Sequence, residues 1–143
     1  MANGNDKLVK QLNLLLEIEL SGVARYLHYS LMIFGPNRIP ITKWFKEQAS
    51  EALNHGSIIG EKITALGGHP SINVRQVPES DKHDIKSILE ESLEFEEEAI
   101  KEYHKLLKMA GTNITIEEMA RKFIVQESEH IEEVEKMLKG MGR

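Results

Sequence analysis

The sequence predicts an all-α protein, a four-helix bundle made of two antiparallel helix pairs joined by one long crossover. Four long segments place apolar residues at helical spacing, and no segment shows the alternation that is typical of a strand. Only a few residues separate the first segment from the second and the third from the fourth, so each pair should pack as antiparallel neighbours. The connection between the pairs is much longer, which predicts that the second and third helices run parallel.

Glycine and proline bound the first two predicted helices. The first runs from about Asp6 to Phe34 and ends at Gly35, and its apolar stripe is Leu8, Leu12, Leu15, Leu16, Val23, Leu27 and Leu31. The second begins near Pro40, since proline suits the first turn of a helix, and it ends at Gly67. Its stripe is Phe45, Ala52, Ile59, Ile63 and Leu66.

The other two predicted helices begin at capping signals. The third runs from about Asp81 to Ala110 after Ser80 as the N-cap, with the stripe Ile85, Leu89, Ile100, Tyr103 and Leu107. The fourth opens at Thr115 with a capping-box pattern and ends at Gly140, with the stripe Met119, Phe123, Ile131, Val134 and Leu138.

The predicted crossover is the stretch 69–80. A helix of about 28 residues is roughly 42 Å long, and about 12 extended residues span roughly 40 Å. The crossover therefore has the reach to run the whole length of the bundle. The length of 143 residues predicts a single domain over residues 1–143.

Composition excludes several classes of protein. Without cysteine, a transition-metal site must use histidine and carboxylate, which suit iron, manganese or zinc. Eighteen basic against 23 acidic residues argue against a nucleic-acid partner. No stretch has the length and lack of charge of a membrane span, and residues 1–10 carry no apolar signal core, so we expect a cytoplasmic location and no membrane partner.

Five acidic or histidine residues lie within the apolar stripes, at least one on each predicted helix: Glu19, His55, Glu96, Glu127 and His130. Any one alone reads as a boundary glutamate or a core histidine. Together they are costly on core-facing positions unless they pair or bind a metal, so the set favours a metal site inside the bundle. A bundle without a metal centre stays open as an alternative.

The chain also resembles a doubled helix pair. Glu19 and His55 are 36 positions apart, and Glu96 and His130 are 34 apart. A tyrosine follows each of the two glutamates after seven residues, at Tyr26 and at Tyr103. We expect these phenols to orient the carboxylates rather than to act in redox chemistry.

The stretches 19–26, 93–100 and 127–131 resemble the ferritin-like di-iron carboxylate family, especially bacterioferritin and the Dps-like mini-ferritins with a bacterioferritin-type site. That family uses one glutamate from each of two helices and Glu-x-x-His from each of the other two. The resemblance implies two iron ions and the ligand set Glu19, Glu51, His55, Glu96, Glu127 and His130. It further implies a ferroxidase that oxidises Fe(II) with peroxide or dioxygen, for iron storage or detoxification.

The second helix departs from this pattern. Ala52 stands where the family has a glutamate, and Glu51 lies four residues before His55 instead of three. Positions four apart still share a helix face, and a one-residue π-bulge would turn Glu51 further inward. If Glu51 does not reach the site, one metal position is weakened or empty.

The resemblance also bears on assembly and haem. It implies a closed homo-oligomer of about 12 subunits. Leu53 stands where bacterioferritin haem binding needs methionine, so haem is not expected. Two other functions stay open: a rubrerythrin-like peroxide reductase that stores no iron, and a bundle with one structural metal such as zinc.

Overall fold

A computed structural model describes residues 4–142, which fold into four α-helices with no strand among them. The helices are α1 (Gly4–Met32), α2 (Arg38–Ala65), α3 (Ile85–Met109) and α4 (Ile114–Lys139). The end residues of the predicted domain, Met1 and Arg143, lie outside the described residues. Within 4–142, none of the helices combines the length and apolar character needed to cross a bilayer.

The helices pack as two pairs. Helix α1 packs against α2, α3 packs against α4, and α1 also contacts α3 across the pairs. Residues 33–37 and 110–113 make the short connections, and residues 66–84 make the crossover. The predicted four-helix bundle with one long crossover is therefore confirmed.

Helix α3 begins later than the sequence predicted. Its N-cap is Asp84, whose side chain accepts a hydrogen bond from the Ser87 backbone N–H at 2.9 Å. Ser80 and Asp81 therefore belong to the crossover, and Asp81 has a φ of 60° that no helix tolerates. An ionised carboxylate satisfies a free N–H and also complements the positive end of the helix, which explains why Asp84 caps the helix.

The starts of α2 and α4 are also shifted by one or two residues. The side chain of Asn113 caps α4 by accepting from the Ile116 N–H at 3.2 Å, while Thr115, the predicted cap, donates to Asn113 Oδ1 at 2.8 Å. Helix α2 begins at Arg38, with Pro40 still inside the first turn, where its missing N–H breaks no hydrogen bond.

Two apolar clusters fill the bundle on either side of a polar layer. One is built mainly from Leu8, Leu12, Leu15, Ile59, Ile63, Tyr103, Leu106, Ile116 and Phe123. The other is built mainly from Ile18, Tyr26, Tyr29, Ile33, Phe45, Ile88, Leu89, Val134 and Leu138. The polar layer between them holds the predicted metal ligands.

The buried side of α1 differs from the predicted stripe beyond its middle. Leu27 and Leu31 are 48% and 60% exposed, so their assignment to the buried stripe was wrong. Tyr26, Tyr29 and Ile33 face the core instead. Neighbouring positions differ by about 100° around a helix, so Leu27 points well away from the side that Tyr26 presents.

The crossover is attached to α1 at both ends. Near its start, the Ser71 backbone N–H donates to Asn13 Oδ1 at 2.7 Å. Near its end, His83 Nδ1 donates to the Met32 carbonyl oxygen at 2.7 Å, and its ring stacks on Phe34 with centroids 4.6 Å apart. These contacts hold the crossover along α1 and so fix how the second helix pair enters the bundle.

Candidate metal centre

The six residues that the resemblance singled out meet in the polar layer of the bundle. Each of the four helices contributes: Glu19 from α1, Glu51 and His55 from α2, Glu96 from α3, and Glu127 and His130 from α4. The three glutamates outside α2, namely Glu19, Glu96 and Glu127, are 3–4% exposed. Five of these six side chains line one narrow space, and their burial strengthens the interactions between their charges.

One group of possible ligands centres on His55. Its Nδ1 lies 2.7 Å from Glu19 Oε2 and 3.3 Å from Glu127 Oε1. One ligand atom from each of these three residues lies within 4.8 Å of the other two. Imidazole nitrogen and carboxylate oxygen are suitable ligands for iron, manganese or zinc.

A second group shares Glu127 with the first. One ligand atom from each of Glu96, Glu127 and His130 lies within 4.8 Å of the other two. Each of the three has a buried atom without a hydrogen-bond partner, namely Glu96 Oε2, Glu127 Oε2 and His130 Nδ1. Buried ligand atoms left unpaired are expected where an ion would complete the site, so the residues present fit a metal. Because the two Glu127 oxygens face different histidines, the two groups are neighbouring positions of one centre.

Glu51 contacts both histidines on the other side of their rings. Its Oε2 lies 2.6 Å from His130 Nε2, and its Oε1 lies 3.5 Å from His55 Nε2. Helix α2 is a regular α-helix through this region, so Glu51 reaches the site without the suggested π-bulge. Its side chain is 26% exposed, against 5% for Glu127. In this arrangement Glu51 orients the imidazole rings, and its direct ligation of a metal stays a prediction.

Helices α1 and α3 each supply a tyrosine whose hydroxyl binds the buried glutamate of the other helix. The Tyr103 hydroxyl of α3 donates to Glu19 Oε2 of α1 at 2.7 Å. The Tyr26 hydroxyl of α1 donates to Glu96 Oε1 of α3. Each hydrogen bond fixes the orientation of one buried carboxylate, and the exchange between helices follows the internal repeat of the sequence.

Burial and neighbouring charge set the ionisation of the carboxylates. Burial raises the pKa of Glu19, and burial together with the Glu19 charge raises the pKa of Glu96 to about 8. Burial would also raise the pKa of Glu51, but hydrogen bonds to His130 and His55 outweigh it and lower the pKa to about 2. Burial would raise the pKa of Glu127 too, but hydrogen bonds to the same two histidines lower it. The site therefore holds two carboxylates that ionise easily, Glu51 and Glu127, beside two whose pKa burial raises.

The histidines respond in the opposite direction. Burial would lower the pKa of His55, but hydrogen bonds to Glu127, Glu19 and Glu51 raise it to about 12. Burial would likewise lower the pKa of His130, but hydrogen bonds to Glu127 and Glu51 raise it to about 10. Both rings are therefore imidazolium at neutral pH when no metal is bound, and a metal ion must displace their protons.

Two glutamines in the site were missed by sequence reasoning. Gln126 Oε1 accepts a hydrogen bond from His55 Nε2 at 2.9 Å, which leaves Nδ1 directed at the carboxylates. Gln48 lines the same space as the ligands and is 7% exposed. A helical signal existed for both, since Gln126 lies four residues before His130 and Gln48 lies four before Ala52.

Comparison with known proteins identifies the family. The ferritin-like domain matches residues 9–143. The chain belongs to the ferritin-like family. A comparison of this chain with curated protein sequences finds no match.

Solved structures share its fold. A ferritin-like, diiron-carboxylate protein from Bacillus anthracis strain Ames is 28% identical, with a TM-score of 0.87 and coverage of 96% of this chain and 99% of the other. The bacterioferritin-related protein of Bacteroides fragilis, a dodecameric thioferritin, is 24% identical, with a TM-score of 0.88 and coverage of 96% and 88%. Rhodobacter capsulatus bacterioferritin is 21% identical, with a TM-score of 0.85 and coverage of 96% and 87%. The last two similarities concern the fold alone.

Proposed function

We propose that this ferritin-like protein is a ferroxidase, which oxidises ferrous iron at an intrasubunit site for two metal ions. The observation that carries the proposal is the Glu127 carboxylate, whose two oxygens face His55 and His130 in two adjoining groups of ligands. Iron is the substrate here, bound by Glu19, His55, Glu96, Glu127 and His130, with Glu51 as the sixth residue of the site. The diiron-carboxylate protein of Bacillus anthracis supports this choice of metal.

The chemistry follows from the fixed negative charge of the site. Carboxylates stabilise the ferric ion more than the ferrous ion, because the added positive charge meets oxygens that are already in place. Two ferrous ions give one electron each, and with two protons the pair reduces peroxide to water or dioxygen to peroxide. The protein's own part is to hold the carboxylates through Tyr26 and Tyr103 and to exclude bulk water.

Storage of the ferric product requires an enclosed space, so we propose a closed homo-oligomer of about 12 subunits. The dodecameric state of the Bacteroides fragilis protein, which has the same fold, favours that number. Light scattering after size exclusion should give about twelve times the 16.3 kDa chain mass. A dimer would instead favour the peroxide reductase that stores no iron.

The double substitution Glu127→Ala with His130→Ala tests the ferroxidase proposal. It removes the shared carboxylate and one histidine, so rapid formation of ferric iron should be abolished. Glu129 on the same helix and His104 on α3 are both exposed, and their double alanine variant is the matched control. An unchanged oxidation rate in the Glu127 and His130 variant would refute the assignment.

Anomalous diffraction from a crystal soaked in ferrous iron distinguishes the two-metal site from a single-metal site. Two peaks about 3.5–4 Å apart among the six residues are expected. A single peak beside Glu127 and His130 would mean a degenerate centre and would favour a structural metal.

A further inference from the structure

A buried amide lies unpaired beside the place where the family's glutamate is missing. Gln48 is 7% exposed, yet its Oε1 atom has no hydrogen-bond partner. Buried oxygen atoms in proteins are almost always paired, because an unpaired one loses its hydration without compensation. The Gln48 oxygen is therefore placed for something other than packing.

The surroundings of Gln48 point to a metal ion. Its side chain lines the same space as Glu96, Glu127 and His130. Each of those three residues also has a buried atom without a hydrogen-bond partner. These four residues, all of which line this space, thus carry four unpaired ligand atoms, three carboxylate or amide oxygens and one imidazole nitrogen.

The position of Gln48 on α2 explains how it reaches that space. It lies four residues before Ala52, so the two share a helix face, and Ala52 offers no polar atom. Glu51 lies about 100° around the helix from Ala52, and its carboxylate contacts His130 at Nε2, the nitrogen on the far side of the ring from the unpaired Nδ1. A long amide one turn before Ala52 therefore lies on the same face of α2 as a glutamate at position 52 would, and both positions line the same space.

We propose that Gln48 Oε1 binds the metal ion held by Glu96, Glu127 and His130, in place of the carboxylate that the family has where this chain has Ala52. The inference rests on the proposed function, since it adds a ligand to the same centre. An amide oxygen is a hard ligand suited to ferrous iron but carries no charge. This position therefore binds divalent ions more weakly, and favours the ferric state less, than it would with a glutamate at position 52.

Binding of Co²⁺ to the metal-free protein, followed by calorimetry, tests the assignment without any redox step. The wild-type chain should bind two Co²⁺ ions. Gln48→Leu, which keeps the size of the side chain but removes its oxygen, should weaken one of the two by at least tenfold and leave the other unchanged. Gln11→Leu removes a half-buried glutamine that binds Glu102 away from the centre, and it should leave both affinities unchanged.

Two further variants separate a ligand from a packing residue. Gln48→Glu supplies a charged oxygen at the same place and should tighten the position that Gln48→Leu weakens. Adding Ala52→Glu to Gln48→Leu should restore that position, because the family's carboxylate returns. Cobalt-edge anomalous diffraction, at a Co²⁺ concentration just sufficient to fill both wild-type positions, should show the peak beside Glu96 and His130 lost in Gln48→Leu and regained in the double variant.

The outcomes distinguish this inference from the proposed function. Three results would each overturn the role of Gln48 and leave the two-metal site standing. In Gln48→Leu, these are unchanged affinities for two Co²⁺ ions or an equal weakening of both positions. In Gln48→Glu, it is the lack of any gain in affinity. A wild-type chain that binds fewer than two Co²⁺ ions would overturn both.

Discussion

Removing one oxygen atom from the core, by the substitution Tyr103→Phe, should weaken both the metal-free fold and metal binding. Tyr103 is fully buried, and its hydroxyl donates to Glu19 Oε2 at 2.7 Å. A hydrogen bond to a charged group contributes about 1.5–3 kcal/mol, so we expect a loss of about 2 kcal/mol. In a chain of this size that loss lowers the unfolding temperature by about 6–8 °C.

The same hydroxyl should matter for metal affinity, because it fixes the orientation of a predicted ligand. Loss of a hydrogen-bond partner behind a ligand typically lowers metal affinity by about 10- to 100-fold. Circular dichroism melts in the presence of a chelator measure the first effect, and Co²⁺ calorimetry measures the second.

Tyr29→Phe is the control for this substitution. Tyr29 is also buried, but its hydroxyl accepts from Arg25 Nη1 at 2.9 Å and contacts no predicted ligand. Its loss should leave metal affinity unchanged. Wild-type affinity in Tyr103→Phe, or an equal fall of affinity in Tyr29→Phe, would refute the claim that the Tyr103 hydroxyl acts by orienting Glu19.

Three further predictions concern protons and helix capping. Metal binding at pH 7 should release protons and should tighten as pH rises, because the pKa values of His55 and His130 are raised to about 12 and about 10. Calorimetry in buffers of different ionisation enthalpy counts the protons released. Metal-free stability in urea should be highest near pH 4.5 and lower at pH 8. Glu51, with its pKa lowered to about 2, loses its stabilising charge as pH falls below 4.5. Glu96, with its pKa raised to about 8, keeps its proton in the folded state at pH values where the unfolded chain has lost it, and the two histidines do the same above pH 6.5. The free energy of unfolding therefore falls as pH rises. An increase in stability from pH 5 to pH 8 would contradict this prediction. Asp84→Ala should lower the free energy of unfolding by about 1 kcal/mol, whereas Ser80→Ala should leave it unchanged in the same urea titrations.

The fold was predictable because long helices repeat the same signal many times. Each of the four segments spans at least 25 residues in the structure, so one misplaced residue does not alter the periodicity. The errors lie where a single residue decides the outcome. Asp84 and Ser80 are both acceptable N-caps by composition, and only the structure shows that Asp84 is the one that accepts from an N–H in the first turn of α3.

The same reasoning explains which site residues the sequence revealed. Glu19, Glu96 and Glu127 stand out because ionisable side chains are rare on apolar stripes. Gln48 and Gln126 do not, since a neutral amide on a helix face is common and carries no charge to be explained. Their roles depend on partner atoms from other helices or on the lack of a partner, which no one-dimensional pattern contains.

The centre combines a symmetric half and an asymmetric half. Helices α1 and α3 exchange equivalent tyrosine-to-glutamate hydrogen bonds, as expected for a repeated helix pair. Helices α2 and α4 break that symmetry, because the glutamate precedes the histidine by four residues in α2 and by three in α4. The extra residue turns Glu51 toward solvent by about 100°, while Glu127 stays buried between both histidines. A change of one position in spacing is therefore enough to give the two glutamate–histidine pairs different burial and different partners.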